Sequence, residues 1–192
     1  SDKKSNVRLA SARAGNVIGG GDWALDRIVP DSMRAWASNQ KVEIRCPEAT
    51  RPWQHVLEPI SGYLNLAYKL EENINLNGES FNFGPNAEYN HNLKELLEDL
   101  TETWNFDNVS DAYELTGNIK FHEAGLLKLN CDKALFYLKW VATLDYKKLL
   151  SFTGEWYYNY YMNNEIDMFK YTINQINEYE QIANKKNIKW SK

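Results

Sequence analysis

Apolar positions recur along this chain at two different spacings, and the switching between them predicts an alternation of strands and helices. Residues 7–13, Val-Arg-Leu-Ala-Ser-Ala-Arg, read as a buried strand, and residues 15–23 as a loop whose glycines permit close backbone approaches. Ile28, Val29, Met33 and Trp36 fall near helical spacing within residues 26–38, where Pro30 is tolerated in a first turn. Residues 42–45 predict a short strand, 47–50 a turn, and Glu58-Pro59 opens a second helix with Ile60, Tyr63, Leu64, Ala67 and Leu70 on one face. After a turn at Asn77-Gly78, residues 80–84 alternate as a strand does. Asn92 is placed to cap a helix that carries Leu93, Leu96, Leu97 and Leu100 inward. A further strand is predicted over 117–121, a short helix over 131–138 and a longer, aromatic-rich helix over 145–162. In the tail, Ile166, Phe169, Ile173, Ile176, Tyr179 and Ile182 form the stripe of an amphipathic helix, packed on the body or on a second subunit.

Composition narrows the function classes. With 43% hydrophobic and 14% aromatic residues the chain can bury enough surface to fold, so global disorder is excluded. A formal net charge of -4 gives no general reason to expect nucleic acid or an anionic membrane, and any anion site must be built from a few placed arginines. Cys46 and Cys131 lie far apart without a CxxC partner, which argues for reduced thiols in a cytoplasmic protein rather than a disulfide scaffold or a zinc knuckle. No apolar run approaches a membrane span. The chain begins at Ser1 and enters a core strand after a few polar residues, so it reads as a piece of a longer protein.

Several chemical motifs are absent. Gly19-Gly20-Gly21 fits neither the Walker spacing nor GxGxxG or GxxGxxG, so on its own it reads as a turn. His55, His91 and His122 show no HExxH-like spacing, and no GxSxG elbow is present. The aromatic residues lie at core spacing without interleaved basic runs, which disfavours base stacking on RNA. Arginines are more telling. Arg13 closes the first strand just before the glycine loop, and Arg51 precedes Pro-Trp-Gln-His in a tight corner. A guanidinium there suits a diphosphate, held bidentately, and equally an internal salt bridge to Asp22, Glu43 or Glu58.

Three stretches carry a resemblance. They are residues 12–23 (Ala-Arg-Ala-Gly-Asn-Val-Ile-Gly-Gly-Gly-Asp-Trp), residues 26–31 (Asp-Arg-Ile-Val-Pro-Asp) and residues 51–59 (Arg-Pro-Trp-Gln-His-Val-Leu-Glu-Pro). Together with Phe81-Asn82-Phe83-Gly84-Pro85, His122-Glu123-Ala124 and Leu127-Lys128-Leu129, they resemble the CDP-glucose 4,6-dehydratases in order and spacing. The resemblance runs from about Val7 to Tyr161. It implies an α/β fold, the carboxyl-terminal substrate-binding part of an extended short-chain dehydrogenase/reductase of Rossmann type, lacking most of the NAD-binding sheet. Residues 1–162 would then be the nucleotide-sugar-binding portion with residual Rossmann strands, and residues 163–192 a carboxyl-terminal amphipathic helix and tail. It favours ligand binding for the arginines: Arg51 on the diphosphate, Arg27 on the nucleotide, Asn16 on the sugar-diphosphate, and Arg45, Asn82 and His122 in the pocket for base and ribose, with Trp23, Trp53 and Gln54 shaping its walls.

The resemblance further implies conversion of CDP-glucose to CDP-4-keto-6-deoxyglucose with NAD, in deoxysugar and lipopolysaccharide biosynthesis, by an enzyme that is a homo-oligomer at full length. NAD would be bound mainly by an upstream half, because neither the glycine fingerprint nor a Tyr-x-x-x-Lys pair occurs here, and no catalytic residue carries over. The alternatives are a dehydratase or epimerase acting on dTDP or UDP sugars, and a binding module without chemistry. This chain departs from the family pattern at Asn130, where Asp is usual, at Lys139, where Gly is common, and at Ala142, where Pro is common.

Overall fold

A computed structural model describes residues 7–86, 88–116, 125 and 127–191. The predicted alternation is present. The elements run β1 (Ser11–Ala14), β2 (Asn16–Ile18), α1 (Ile28–Ala37), β3 (Val42–Ile44), β4 (Trp53–His55), α2 (Leu57–Glu72), β5 (Ser80–Phe83), α3 (Leu93–Thr101), β6 (Tyr113–Leu115), α4 (Tyr146–Met162) and α5 (Met168–Lys185). The strands form three parallel pairs: β1 with β5 (Arg13 opposite Asn82), β2 with β4 (Asn16 opposite Trp53) and β3 with β6 (Glu43 opposite Glu114). Parallel partners require long crossovers, which the intervening helices supply.

Two clusters make most of the core. Under α1, α3 and α4 lie Met33, Trp36, Leu96, Leu97, Leu100 and Tyr157, and between α2, β5 and the 134–138 turn lie Leu66, Phe81, Phe83, Leu138 and Trp140. The predicted cap of α3 is a full capping box: Asn92 accepts from the Glu95 N–H at 2.8 Å, and the Glu95 carboxylate accepts from the Asn92 N–H at 2.9 Å.

Three expectations are corrected. The strand over 7–13 is not buried: Val7 and Leu9 are 63% and 68% exposed, and β1 faces solvent while pairing with β5 on one side. In α2 the buried face is the opposite one, Ser61, Gly62, Asn65 and Leu66, whereas Ile60, Tyr63, Leu64 and Ala67 are exposed. Close approach is the reason. A Cβ on Gly62 would lie 2.3 Å from the Phe83 ring, so this contact selects small residues, which a search for large apolar ones passes over. In α5 the stripe is rotated: Gln175, Tyr179 and Ala183 are buried, while Phe169 and Ile173 are exposed. The predicted strand over 117–121 lies outside the described residues.

The short helix over 131–138 forms as a π-turn, Ala134–Leu138, closed by Lys139 in the left-handed region at φ 55°. A left-handed closing residue favours glycine, which accounts for the usual Gly at that position. At Asn130 the side-chain oxygen accepts from the Asp132 N–H at 2.9 Å, a bond that a carboxylate could also accept.

Candidate nucleotide-sugar pocket

The glycine loop after β2 ends at α1, and its shape is set by what packs behind it. A Cβ on Gly20 would fall 2.0 Å from the Trp156 ring, and Gly21 adopts φ +81°. Tyr157 on α4 then pins the loop: its hydroxyl donates to the Asp22 carbonyl at 2.8 Å and accepts from the Asp22 N–H at 3.1 Å. Burial pushes this hydroxyl well above the ordinary tyrosine range, so it keeps the proton that the first bond needs. Trp23 closes the outside of the loop against Trp156, Tyr157, Tyr160 and Tyr161.

In front of the loop lies a pocket of about 410 Å³ between the ends of β2 and β3, the start of α1 and the approach to β4. Asn16, Arg27, Arg45 and Arg51 all line it, although they come from four separate segments. Arg51 is half-buried, and one of its guanidinium nitrogens donates to the Thr50 carbonyl at 2.9 Å, which fixes the side chain at the corner before β4. Trp53 supplies a wall, its indole N–H held by the His91 carbonyl at 3.2 Å. Carboxylates are also present. Asp31 is engaged by Arg34, and one Asp22 oxygen accepts from the Ala24 N–H at 2.9 Å. Asp26, at φ 59°, and Glu43 on β3 complete the acidic set, so the pocket carries both signs of charge.

The remaining expected residues lie elsewhere. Asn82 on β5 donates to the Asn130 carbonyl at 3.0 Å and does not line this pocket. His122 lies outside the described residues. Gln54 is buried behind the wall, its amide donating to the Phe83 carbonyl at 2.9 Å, and Trp23 stays on the outer face of the loop. Sequence reasoning passed over Tyr157, 135 residues from its partner Asp22, and read Glu43 only as a salt-bridge partner. The carboxylate of Glu58 is instead taken up by backbone N–H groups of Thr143 and Leu144 at 2.7–3.0 Å and by the Tyr179 hydroxyl at 2.9 Å.

The glycines do not form a dinucleotide cradle. Gly20 abuts Trp156, and a Cβ on Gly19 would meet Val56 at 2.9 Å, so the close approaches they permit are occupied by protein and not open to a pyrophosphate. This loop therefore does not supply the described residues with a dinucleotide-binding turn. Nor do they contain a cluster of His, Cys, Asp and Glu able to hold a metal ion, and no helix among them is long and apolar enough to cross a membrane.

No protein-family model matches the chain. Among curated proteins, the CDP-glucose 4,6-dehydratase of Salmonella typhimurium is 45% identical over 138 residues, covering 72% of this chain and 38% of that protein. Among solved structures, a UDP-glucose 4-epimerase from Stenotrophomonas maltophila superimposes with a TM-score of 0.66 at 15% identity, over 80% of this chain and 48% of its own. A dTDP-glucose 4,6-dehydratase from Bacillus anthracis, in complex with NAD, gives 0.66 at 16% identity over 79% and 44%. A UDP-glucose 4-epimerase from Thermotoga maritima gives 0.64 at 19% identity over 87% and 47%. The chain thus spans less than half the length of each of these relatives, and the structures speak to the fold alone. Its sequence likeness to a CDP-glucose 4,6-dehydratase and its α/β architecture, part of the fold these enzymes share, make it a member of the nucleotide-sugar epimerase/dehydratase family of extended short-chain dehydrogenases/reductases.

Proposed function

We propose that this chain is the carboxyl-terminal, nucleotide-sugar-binding part of a CDP-glucose 4,6-dehydratase. The observation that carries the reading is the convergence of Asn16, Arg27, Arg45 and Arg51 on one pocket from four separate segments, in a chain that over 138 residues is 45% identical to such an enzyme. In this reading Arg51 clamps the diphosphate, for which a planar guanidinium at the pocket wall is suited. Arg27 holds the nucleotide from the start of α1, Asn16 meets the sugar-diphosphate, and Arg45 faces base and ribose. The full-length enzyme removes water from CDP-glucose to give CDP-4-keto-6-deoxyglucose, a hydro-lyase step in deoxysugar and lipopolysaccharide synthesis in the cytoplasm. This part contributes binding and orientation, which set the sugar against groups held elsewhere. NAD and the tyrosine base come from another part of the protein, and the isolated chain turns nothing over.

The bare β1 strand and the exposed Ile60, Tyr63 and Leu64 of α2 support this assignment, since parallel strands are ordinarily covered and a two-stranded pair is marginal alone. The test is Arg51→Ala in the full-length enzyme, with CDP, CDP-glucose and NAD titrated calorimetrically. Loss of a charge-assisted clamp is expected to weaken both CDP ligands by about 2–4 kcal/mol and to leave NAD unchanged. Equal losses for all three, or turnover of UDP- or dTDP-glucose in place of CDP-glucose by the unaltered enzyme, would overturn the proposal.

A further inference from the structure

Residues 19–26 carry Gly19, Asp22 and Asp26 along one side of the pocket, between Ile18 at the end of β2 and Arg27 at the start of α1. Regular structure fixes both ends of this loop, since β2 pairs with β4 and α1 packs on β3 and α4. The middle is different. It contains three successive glycines, and its Trp23 and Leu25 are exposed. Glycine loses more backbone freedom on ordering than any other residue, so such a run samples many shapes unless something holds it.

Side chains do the holding. Arg34 donates to the Trp23 and Ala24 carbonyls at 3.3 Å each, and Tyr157 makes the shorter pair, donating to the Asp22 carbonyl at 2.8 Å and accepting from the Asp22 N–H at 3.1 Å. Tyr157 is itself well anchored. It is fully buried in the larger core cluster, and its helix is tied to α5 by the Trp156 indole N–H on the Thr172 hydroxyl at 2.9 Å and by the Gln175 amide on the Phe152 carbonyl at 2.8 Å. Helix α5 lies beyond the residues that carry the family resemblance, yet it backs the loop at one remove.

We propose that Tyr157 is a positioning residue for the nucleotide sugar: through Asp22 it holds the glycine loop in its binding shape before the ligand arrives. The proposal rests on the nucleotide-sugar reading above and deepens it. Tyr157 does not line the pocket, so it acts through the loop and touches no ligand. A ligand that meets a loose loop has to order it, and its apparent affinity falls by the fraction of time the loop spends in the binding shape. Once bound, the ligand holds the loop itself. The hydroxyl therefore matters for capture and much less for the chemical step that follows.

The experiment uses the full-length enzyme and its Tyr157→Phe, Tyr179→Phe and Arg51→Ala variants, with Kd for CDP and NAD, KM and kcat for CDP-glucose, and melting temperature measured for each. Tyr157→Phe keeps the ring in the core and removes both bonds to Asp22, which is half-buried and within reach of water, so the variant folds. It is expected to raise the CDP Kd and the CDP-glucose KM about tenfold, with kcat held within about twofold and NAD affinity unchanged. Tyr179→Phe removes a comparable pair of contacts, to Glu58 and Ser61, away from the loop. It is expected to lower the melting temperature and leave CDP affinity as it was, which separates positioning from stability. An unchanged CDP Kd in Tyr157→Phe, beside weakened binding in Arg51→Ala, would overturn the proposal and leave the pocket assignment intact. Equal weakening of CDP and NAD in Tyr157→Phe, or CDP losses that follow melting temperature in both tyrosine variants, would reduce Tyr157 to a structural role and overturn it as well. CDP binding indifferent to Arg51→Ala would overturn the nucleotide-sugar reading and this proposal with it.

Discussion

Charged side chains in this protein serve two opposite purposes, and the contrast between the pocket and the region around Glu58 separates them. Glu58 is 2% exposed and accepts from two backbone N–H groups and from Tyr179, whose hydroxyl also lies 2.9 Å from Ser61. Lys186 closes the same region by donating to the Thr143 carbonyl at 2.8 Å. Burial pushes the Glu58 carboxyl upward, and the hydrogen bonds from Leu144, Thr143 and Tyr179 pull it back. The charged groups there, Glu58 and Lys186, both find partners within the chain. In the pocket, Glu43, Arg45 and Arg27 are exposed and unanswered among the described residues. A charge satisfied inside the fold maintains the fold, while a charge held in a cavity without a partner is available to a ligand.

Breaking the contrast at its satisfied end gives the largest effect. Glu58→Ala leaves buried N–H groups and a hydroxyl unpaired, and is expected to destabilise the full-length protein by about 4 kcal/mol, whereas Arg45→Ala should stay within about 0.5 kcal/mol. Urea denaturation of both variants checks this, and equal losses would erase the distinction between the two regions.

His55 sharpens the comparison by pH. It is buried, its ring packs edge-on against Phe152, and burial lowers its pKa from 6.5 to about 4. The folded protein therefore holds it neutral. Its stabilising contribution is complete above pH 6.5, falls as the unfolded chain takes up the proton below that value, and is lost through pH 4, a change of about 3 kcal/mol. Urea midpoints at pH 7 and pH 4 for the natural protein and for His55→Gln should show that much less pH dependence in the variant. An identical dependence in both would locate the effect elsewhere.

The smallest effect concerns a departure from the family pattern. Lys139→Gly relieves the left-handed strain at φ 55° and is expected to stabilise by about 0.5–1 kcal/mol, after the greater freedom of glycine in the unfolded chain is allowed for. Thermal denaturation would register a rise of a few degrees at most, and a fall would mean that the Lys139–Phe136 contact outweighs the strain.

Periodicity made the order of strands and helices legible, and Asn92 marked the start of α3 by local chemistry alone. Burial was less legible, because the face of α2 that packs is chosen for smallness at Ser61 and Gly62, and because β1 lacks a cover that its apolar residues anticipate. The arginines of the site could be read from the motifs that carry them. Glu43 could not, since a three-residue strand is too short for its alternation to stand out. Tyr157 and Tyr179 act across more than a hundred residues and leave no local signature.

The span between Glu58 and Tyr179 has a consequence for synthesis. The two residues are 121 positions apart. At a translation rate of about 5–20 residues per second, the Glu58 carboxyl waits roughly 6–24 s for the hydroxyl that completes its shell. Throughout that interval the beginning of α2 holds a polar group bound for an apolar interior whose last wall has not been made. On the ribosome, the helix that bears the exposed apolar face of Ile60 and Leu64 thus cannot settle until the tail emerges, and a pause in decoding before Tyr179 prolongs the time during which nascent chains are able to stick to one another.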